Sequence, residues 1–278
     1  MRIDLQLSAG ITLMMASHST DGVTYPTGRI QKGLILLYEG QELCEEGVGF
    51  GVPILKRGLR TIFPGEVEIL PIGGSFTHGM CARYKMNLEE KILKTGSGTI
   101  HNSSLYYSKN FLAAAIRRLP YLRRLLTYIS NLLRSWLTLE TTYETTNFSM
   151  DFSLSYSIDP GTGRIEVQLD RQDYDELGIT EVIVMNEQGA HYFDRYQDSD
   201  GISASGKEIG IWDQVRAAEA SFIDLKHQIS FSLPQVGGAK LYRGRELIGK
   251  RLAWSGFGYS FPPTLQRFRY EITVKKIS

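Results

Sequence analysis

The sequence predicts an all-β fold, a large antiparallel β-sandwich carrying one amphipathic, basic helical insertion at about 108–139. Three observations predict it. Long stretches alternate apolar and polar residues with period two. Serine and threonine fill many of their polar positions, as on antiparallel sheets with one wet face. One stretch alone changes to a rhythm of three and four. At 278 residues the chain can bury a sizeable core, and no Pro/Ser-rich linker divides it, so 1–278 reads as a single β-sandwich domain. A hydrophobic fraction of 42% against 22% charged residues belongs to a folded, soluble class rather than a disordered one.

Taken in order, the N-terminal MRIDLQLSAGITLMMASHS has Asp4 early and only short apolar pieces, so no signal peptide is expected. Strands are expected at 32–38 (KGLILLY) and 66–72 (EVEILPI). From Phe76 to Leu88 the even positions are Phe76, His78, Met80, Ala82, Tyr84, Met86 and Leu88, while Cys81, Arg83, Lys85 and Asn87 are odd. That is a long half-buried strand. Phe148, Met150, Phe152, Leu154, Tyr156 and Ile158 repeat the pattern up to the turn signal Asp159-Pro160-Gly161-Thr162-Gly163. Ile165, Val167 and Leu169 follow, so 147–170 is expected to be a hairpin. Further strands are expected at 180–186, 190–196, 228–233 and 267–275; residues 213–220 (DQVRAAEA) suit helix or strand equally.

The helical rhythm falls in NFLAAAIRRLPYLRRLLTYISNLLRSWLTL. Between Lys91 and Leu139 there is no Asp or Glu, whereas Lys91, Lys94, Lys109, Arg117, Arg118, Arg123, Arg124 and Arg134 are all cations. The whole chain has a net charge of +1, so the remainder is acidic. Pro120 suits the first turn of a second helix and would break the middle of one. Three readings follow for 110–138. Its leucines and Trp136 enter a membrane surface while Arg117, Arg118, Arg123, Arg124 and Arg134 meet anionic lipid. Alternatively the stripe fills a partner's groove. The third and commonest arrangement packs the stripe on the protein's own sheet. A spanning helix is excluded, because four arginines would lie within it. Nucleic acid is not an expected partner, since the aromatics share the apolar stripe and no zinc-finger, RNP or helix-turn-helix pattern occurs. The expected location is cytoplasmic, with peripheral membrane attachment if the first reading holds.

Motifs for chemistry are sparse. Cys44 and Cys81 cannot make a disulfide framework or a CxxC metal pair. The glycines of 47–51 (GVGFG), 96–98 and 256–258 complete neither a dinucleotide fingerprint nor a P-loop, and read as turns and strand bends. Asp198-Ser199-Asp200-Gly201 lacks the closing Glu of a calcium loop. His18, His78, His101, His191 and His227 show no metal-like spacing, so no metal or cofactor is expected. His78 falls on an apolar strand face, which suits a satisfied core histidine. If 76–88 pairs with 98–107, however, His78 and His101 would share a cleft, and with Glu68 they would supply acid/base chemistry on a sugar. Arg83 and Tyr107 are the neighbouring candidates for ligand contact, arginine suiting an acidic sugar and tyrosine a sugar face.

The C-terminal stretch ISFSLPQVGGAKLYRGRELIGKRLAWSGFGYSFPPTLQRFRYEITV joins short strands by tight turns. With the long strands before it, the pattern over 32–105 and 141–276 resembles the β-supersandwich of galactose mutarotase-like and heparinase- or lyase-associated domains. The resemblance implies carbohydrate contact in a sheet-lined cleft; such enzymes use histidines and a glutamate there. The helical insertion departs from that pattern. The function expected is therefore carbohydrate binding or modification, and the alternative is a non-enzymatic scaffold docked through 110–138.

Overall fold

The computed structural model describes residues 1–17, 25–26, 33–44, 49–58, 60–72, 75–94, 139–170, 177–248, 252–265 and 267–277. The described residues form β1 (Arg2–Ser8), β2 (Ile11–Ala16), β3 (Tyr25–Pro26), β4 (Ile35–Tyr38), β5 (Gln41–Glu42), β6 (Phe50–Arg57), β7 (Arg60–Ile72), β8 (Ser75–Lys94), β9 (Leu139–Asp159) and β10 (Arg164–Asp170). They continue with β11 (Glu181–Gln188), β12 (Arg195–Asp198), β13 (Ser203–Ser205), β14 (Asp213–Gln214), β15 (Glu219–Asp224), β16 (Ile229–Pro234), β17 (Lys240–Ile248), β18 (Leu252–Phe261) and β19 (Arg267–Lys276). Among these residues helical structure is confined to 3₁₀ turns, at Leu177 and at Gly206–Ile209. None of their helices is long and apolar enough to cross a membrane.

The large sheet runs β13-β12-β15-β16-β19-β10-β9-β8-β7-β6-β11-β18-β17-β14, with β3 on β9, and a smaller sheet runs β1-β2-β4-β5. The described pairings are antiparallel (for example β8 with β9 and β10 with β19). Alternation fixes which side of each strand is apolar. Met80, Ala82, Tyr84, Met86 and Leu88 of β8 are buried, as are Phe152, Leu154, Tyr156 and Ile158 of β9. Each buried Phe or Leu removes apolar area worth about 2 kcal/mol from water, so this register dominates any one-residue slip.

The large sheet folds back on itself. β18 and β19 lie seven places apart in strand order, yet Tyr259 meets Tyr270 at 4.7 Å and Phe261 meets Phe268 at 4.5 Å between ring centroids. Phe222 of β15 likewise meets Phe257 of β18 at 4.8 Å. Polar side chains cross the same interior. The Tyr84 and Tyr156 hydroxyls donate to the Gly51 carbonyl at 3.0 and 2.8 Å, and Tyr270 donates to Asn186 Oδ1 at 2.8 Å. Residue 51 must be glycine: its φ is +76°, and a Cβ there would lie 2.3 Å from the Tyr156 hydroxyl. Ile3, Leu5, Leu7, Leu13 and Leu36 of the small sheet add to this core. The Gln188 side chain fastens the two sheets, donating to the Leu34 carbonyl and accepting from the Leu36 amide, both at 3.1 Å.

The expected hairpin 147–170 forms. Its turn is held by Asp159, whose carboxylate accepts from the Gly161 amide at 3.0 Å and the Thr162 hydroxyl at 2.7 Å. The expected strand at 190–196 begins only at Arg195. Residues before it form a turn in which Phe193 donates its amide to the Gly189 carbonyl at 3.0 Å. Ala190 and Phe193 are buried from that turn, three residues apart, a spacing that a period-two strand does not give. Residues 213–220 are extended where ordered into pairs, in β14 and at the start of β15.

The helical insertion expected at 108–139 lies outside the described residues, except for Leu139, which is the first residue of β9. What is described is its neck. Lys94 pairs in register with Leu139, so the chain leaves and re-enters the sheet at one point of a two-stranded ribbon.

Candidate functional site

The outer face of β7, β8 and β9 is a field of charged and hydroxyl side chains. Val67 of β7 points into the core, so Glu66 and Glu68 on either side of it face outward. Across the ladder, Glu66 is in register with Lys85 and Glu68 with Arg83. Both pairs close: Lys85 Nζ donates to Glu66 at 2.8 Å, and Arg83 to Glu68 at 3.3 Å. Lys85 is in turn in register with Asp151 of β9, whose charge adds to that of Glu66 in raising the affinity of the amine for its proton.

These residues, with Ser17 and Val67, line an open hollow of about 530 Å³. Ser17 stands just beyond β2, where its hydroxyl accepts from the Ile69 amide at 3.1 Å, so the small sheet supplies one wall. The Arg83–Glu68 pair is about half exposed, at 49% and 60%. An ion pair this wet adds well under about 1 kcal/mol to stability. Its donors and acceptors are therefore open to exchange with those of a ligand. Cys81, the next outward residue on β8, contributes little chemistry, because burial pushes its thiol up despite hydroxyl contacts from Ser153 and Ser155.

Of the residues singled out in the sequence, Glu68 and Arg83 meet in this hollow. His78 lies within β8 with its side chain outside the described residues. His101, Tyr107, Arg117, Arg118, Arg123, Arg124, Arg134 and Trp136 also lie outside them. Glu66, Lys85 and Asp151 do not stand out in the sequence by residue type, though parity marks them: 66 matches 68, 85 matches 83, and 151 alternates with the buried 152 and 154.

A second acid–base contact lies elsewhere. His227 Nδ1 is 2.6 Å from Asp224 Oδ2, and the ring packs 5.3 Å from Tyr38 of the small sheet. Asp224 also accepts from the amides of Lys226 and His227 at 2.9 and 3.3 Å, so this pair closes a turn and joins the sheets. Among the described residues, no group of three His, Cys, Asp or Glu side chains is placed to hold a metal ion.

No family model matches the chain, and no curated protein does. Solved structures align with it along most of its length at low scores. Alpha-N-acetylgalactosaminidase NagBb from Bifidobacterium bifidum, in complex with GalNAc, aligns with a TM-score of 0.48 and 10% identity over 99% of this chain and 36% of that one. A glycosyl hydrolase family 38 protein from Enterococcus faecalis aligns with a TM-score of 0.40 and 9% identity, over 98% of this chain and 30% of that one. Slr1438 from Synechocystis sp. PCC 6803 gives 0.38 and 10%, over 99% and 96% of the two chains. The chain thus spans about a third of the length of the first two. At such scores and identities the likeness carries no argument about its activity.

Proposed function

We propose that the protein binds a saccharide in the hollow over β7, β8 and β9. The observation that carries this reading is the pair of in-register ion pairs, Glu66–Lys85 and Glu68–Arg83, lining an open cavity beside Asp151. A sugar hydroxyl both donates and accepts, and each ion pair presents a carboxylate acceptor beside a cationic donor. Strands hold those groups at fixed spacing, which lowers the ordering cost on binding. The three carboxylates outnumber Arg83 and Lys85, so the hollow favours neutral, hydroxyl-rich sugars over carboxylated or sulfated ones. The supersandwich resemblance in the sequence belongs to this proposal.

A glycan array followed by calorimetry tests it. The intact chain should bind at least one glycan class, and Glu68→Ala and Arg83→Ala should each weaken that binding about tenfold, or about 1.4 kcal/mol. Failure of the intact chain to bind any glycan, or unchanged binding by both variants, sinks the reading.

The ribbon neck favours a second reading for 95–138. Because Lys94 and Leu139 are paired, the acid-free stretch is an excursion from one end of a long hairpin. We propose that it docks the sandwich on an anionic membrane surface. Flotation with anionic liposomes tests this: the intact chain should float and be released by salt. A chain with 110–138 replaced by a Gly/Ser linker, its β signal intact by circular dichroism, should not. Equal behaviour of the two ends the idea.

A further inference from the structure

The outer face of β11, β18 and β17, further along the large sheet, has a different composition. Phe257, Tyr259 and Phe261 of β18 point into the core, so Trp254, Gly256, Gly258 and Ser260 take the outer positions. Gly244 of β17 is in register with Gly256. The result is a strip of bare backbone in the middle of a sheet.

Aromatic rings gather over it. Trp212, from the segment between the 3₁₀ turn and β14, has φ +59°, a left-handed conformation that costs a large side chain about 1 kcal/mol or more. It fits only because the strip is bare: a Cβ on Gly258 would lie 2.5 Å from its ring, and one on Gly244 would lie 3.1 Å from its backbone nitrogen. Trp254 and Tyr242 each stand 6.1 Å from Trp212 between centroids.

The strip also holds a buried acid. Glu187 of β11 is in register with Gly256. It is 4% exposed. Its backbone amide donates to the Gly49 carbonyl at 3.1 Å, but among the described residues no hydrogen bond or ion pair reaches its carboxyl. Burial holds that carboxyl well above the usual range, and the Glu246 charge pushes it the same way. Glu246 flanks the strip from β17, in register with Trp254. A buried carboxyl with no donor costs roughly 1–3 kcal/mol, which methionine would avoid. Pure packing therefore does not account for Glu187.

From this geometry we infer a binding site for a protonated primary amine, its ammonium held between the Glu187 and Glu246 carboxyls and against the indoles of Trp212 and Trp254. An ammonium supplies both what the buried carboxyl lacks: a positive charge and three N–H donors. The indole faces add cation–π attraction where water is thin. Amino sugars and polyamines both carry this group. The inference does not rest on the saccharide reading of the hollow, which lies on other strands.

Calorimetry on the full chain at constant ionic strength decides it, using glucosamine, N-acetylglucosamine and spermidine. Glucosamine or spermidine, or both, should bind; whichever binds names the source of the amine. N-acetylglucosamine, whose nitrogen is uncharged, should bind at least about tenfold more weakly than glucosamine if the amino sugar is the ligand. Affinity should rise with pH, because Glu187 must release its proton to pair with the ammonium. The other titratable groups around the strip are Glu181 on β11, which accepts from the Ser260 hydroxyl, Glu246, Tyr242 and Lys240 on β17, and Asp213 beside Trp212. Glu187→Gln should lower affinity about tenfold or more without lowering the unfolding temperature. Should that variant not fold, the intact chain still tests the inference through the Glu187 carboxyl carbon signal, which must shift on adding the amine. The inference fails if neither amine binds, if glucosamine binds and N-acetylglucosamine binds as tightly, or if Glu187→Gln binds the amine as the intact chain does.

Discussion

The outer faces at β7–β9 and at β11–β18–β17 treat carboxylates in opposite ways. On the first, Glu66 and Glu68 sit directly across from Lys85 and Arg83, half-wet and matched in charge. On the second, Glu187 is buried on a face rich in aromatic rings, and the charge acting on it is that of another acid. The first arrangement is cheap to build and easy to exchange with a ligand. The second is costly to build. The same strand geometry therefore yields wet, paired carboxylates or a buried one, depending on what stands across the ladder.

The largest expected effect comes from crowding the strip. Gly258→Ala sets a methyl against the Trp212 ring and should cost about 1–3 kcal/mol in urea unfolding. A variant as stable as the parent would mean that Trp212 moves freely, and the contrast between the faces would dissolve. No comparable penalty is expected at the wet face.

Next comes Glu187→Gln, which should stabilise the fold by about 1 kcal/mol at neutral pH and above. The sign follows from the direction of the shift. A carboxyl whose proton is bound more tightly when folded stabilises the native state at low pH. That contribution is lost as pH rises from the ordinary value of 4.5 through the raised one. Thermal melts over that window should show the parent losing stability relative to the variant as pH rises. Parallel curves would show that Glu187 is not held protonated.

Glu68→Ala and Arg83→Ala sharpen the contrast from the other side. Each should change stability by less than about 0.5 kcal/mol while weakening glycan binding about tenfold. A stability loss of several times that size would make the pair structural rather than ligand-facing. The smallest effect is at Cys81 on the same face. Burial raises its thiol, so alkylation followed by mass spectrometry should run slower at neutral pH than for free cysteine. Faster alkylation would mark a more open, more polar face than the structure shows.

Much of the first face is legible in the sequence. Even positions of 80–88 and 152–158 are buried, as alternation predicts, which leaves Arg83, Lys85 and Asp151 outward. Glu68 and Arg83 are visible as candidates, but not as partners, because their register is set by irregular pairing near Pro64. The second face is hardly legible. Gly256-Phe257-Gly258 reads in sequence as a strand bend, whereas the structure makes it the bare floor under Trp212. Nothing in VMNEQG distinguishes Glu187 from a surface glutamate. Phe50–Arg57 also hides its strand, since Pro53 and the two-sided burial of 50–55 erase the alternation.

The sequence by itself determined the all-β class, the inward face of the long strands, the Asp159 turn and the acid-free stretch that interrupts β8 and β9. These depend on neighbours within a few residues, where steric alternation and turn chemistry act. Only the tertiary structure decided which half of the sheet folds over which, which charges meet across a ladder, and that Glu187 lies buried on the strip covered by a tryptophan 25 positions along the chain. Those outcomes depend on register and on loops crossing distant strands, and burial is a property of everything that packs over a residue rather than of the residues beside it in sequence.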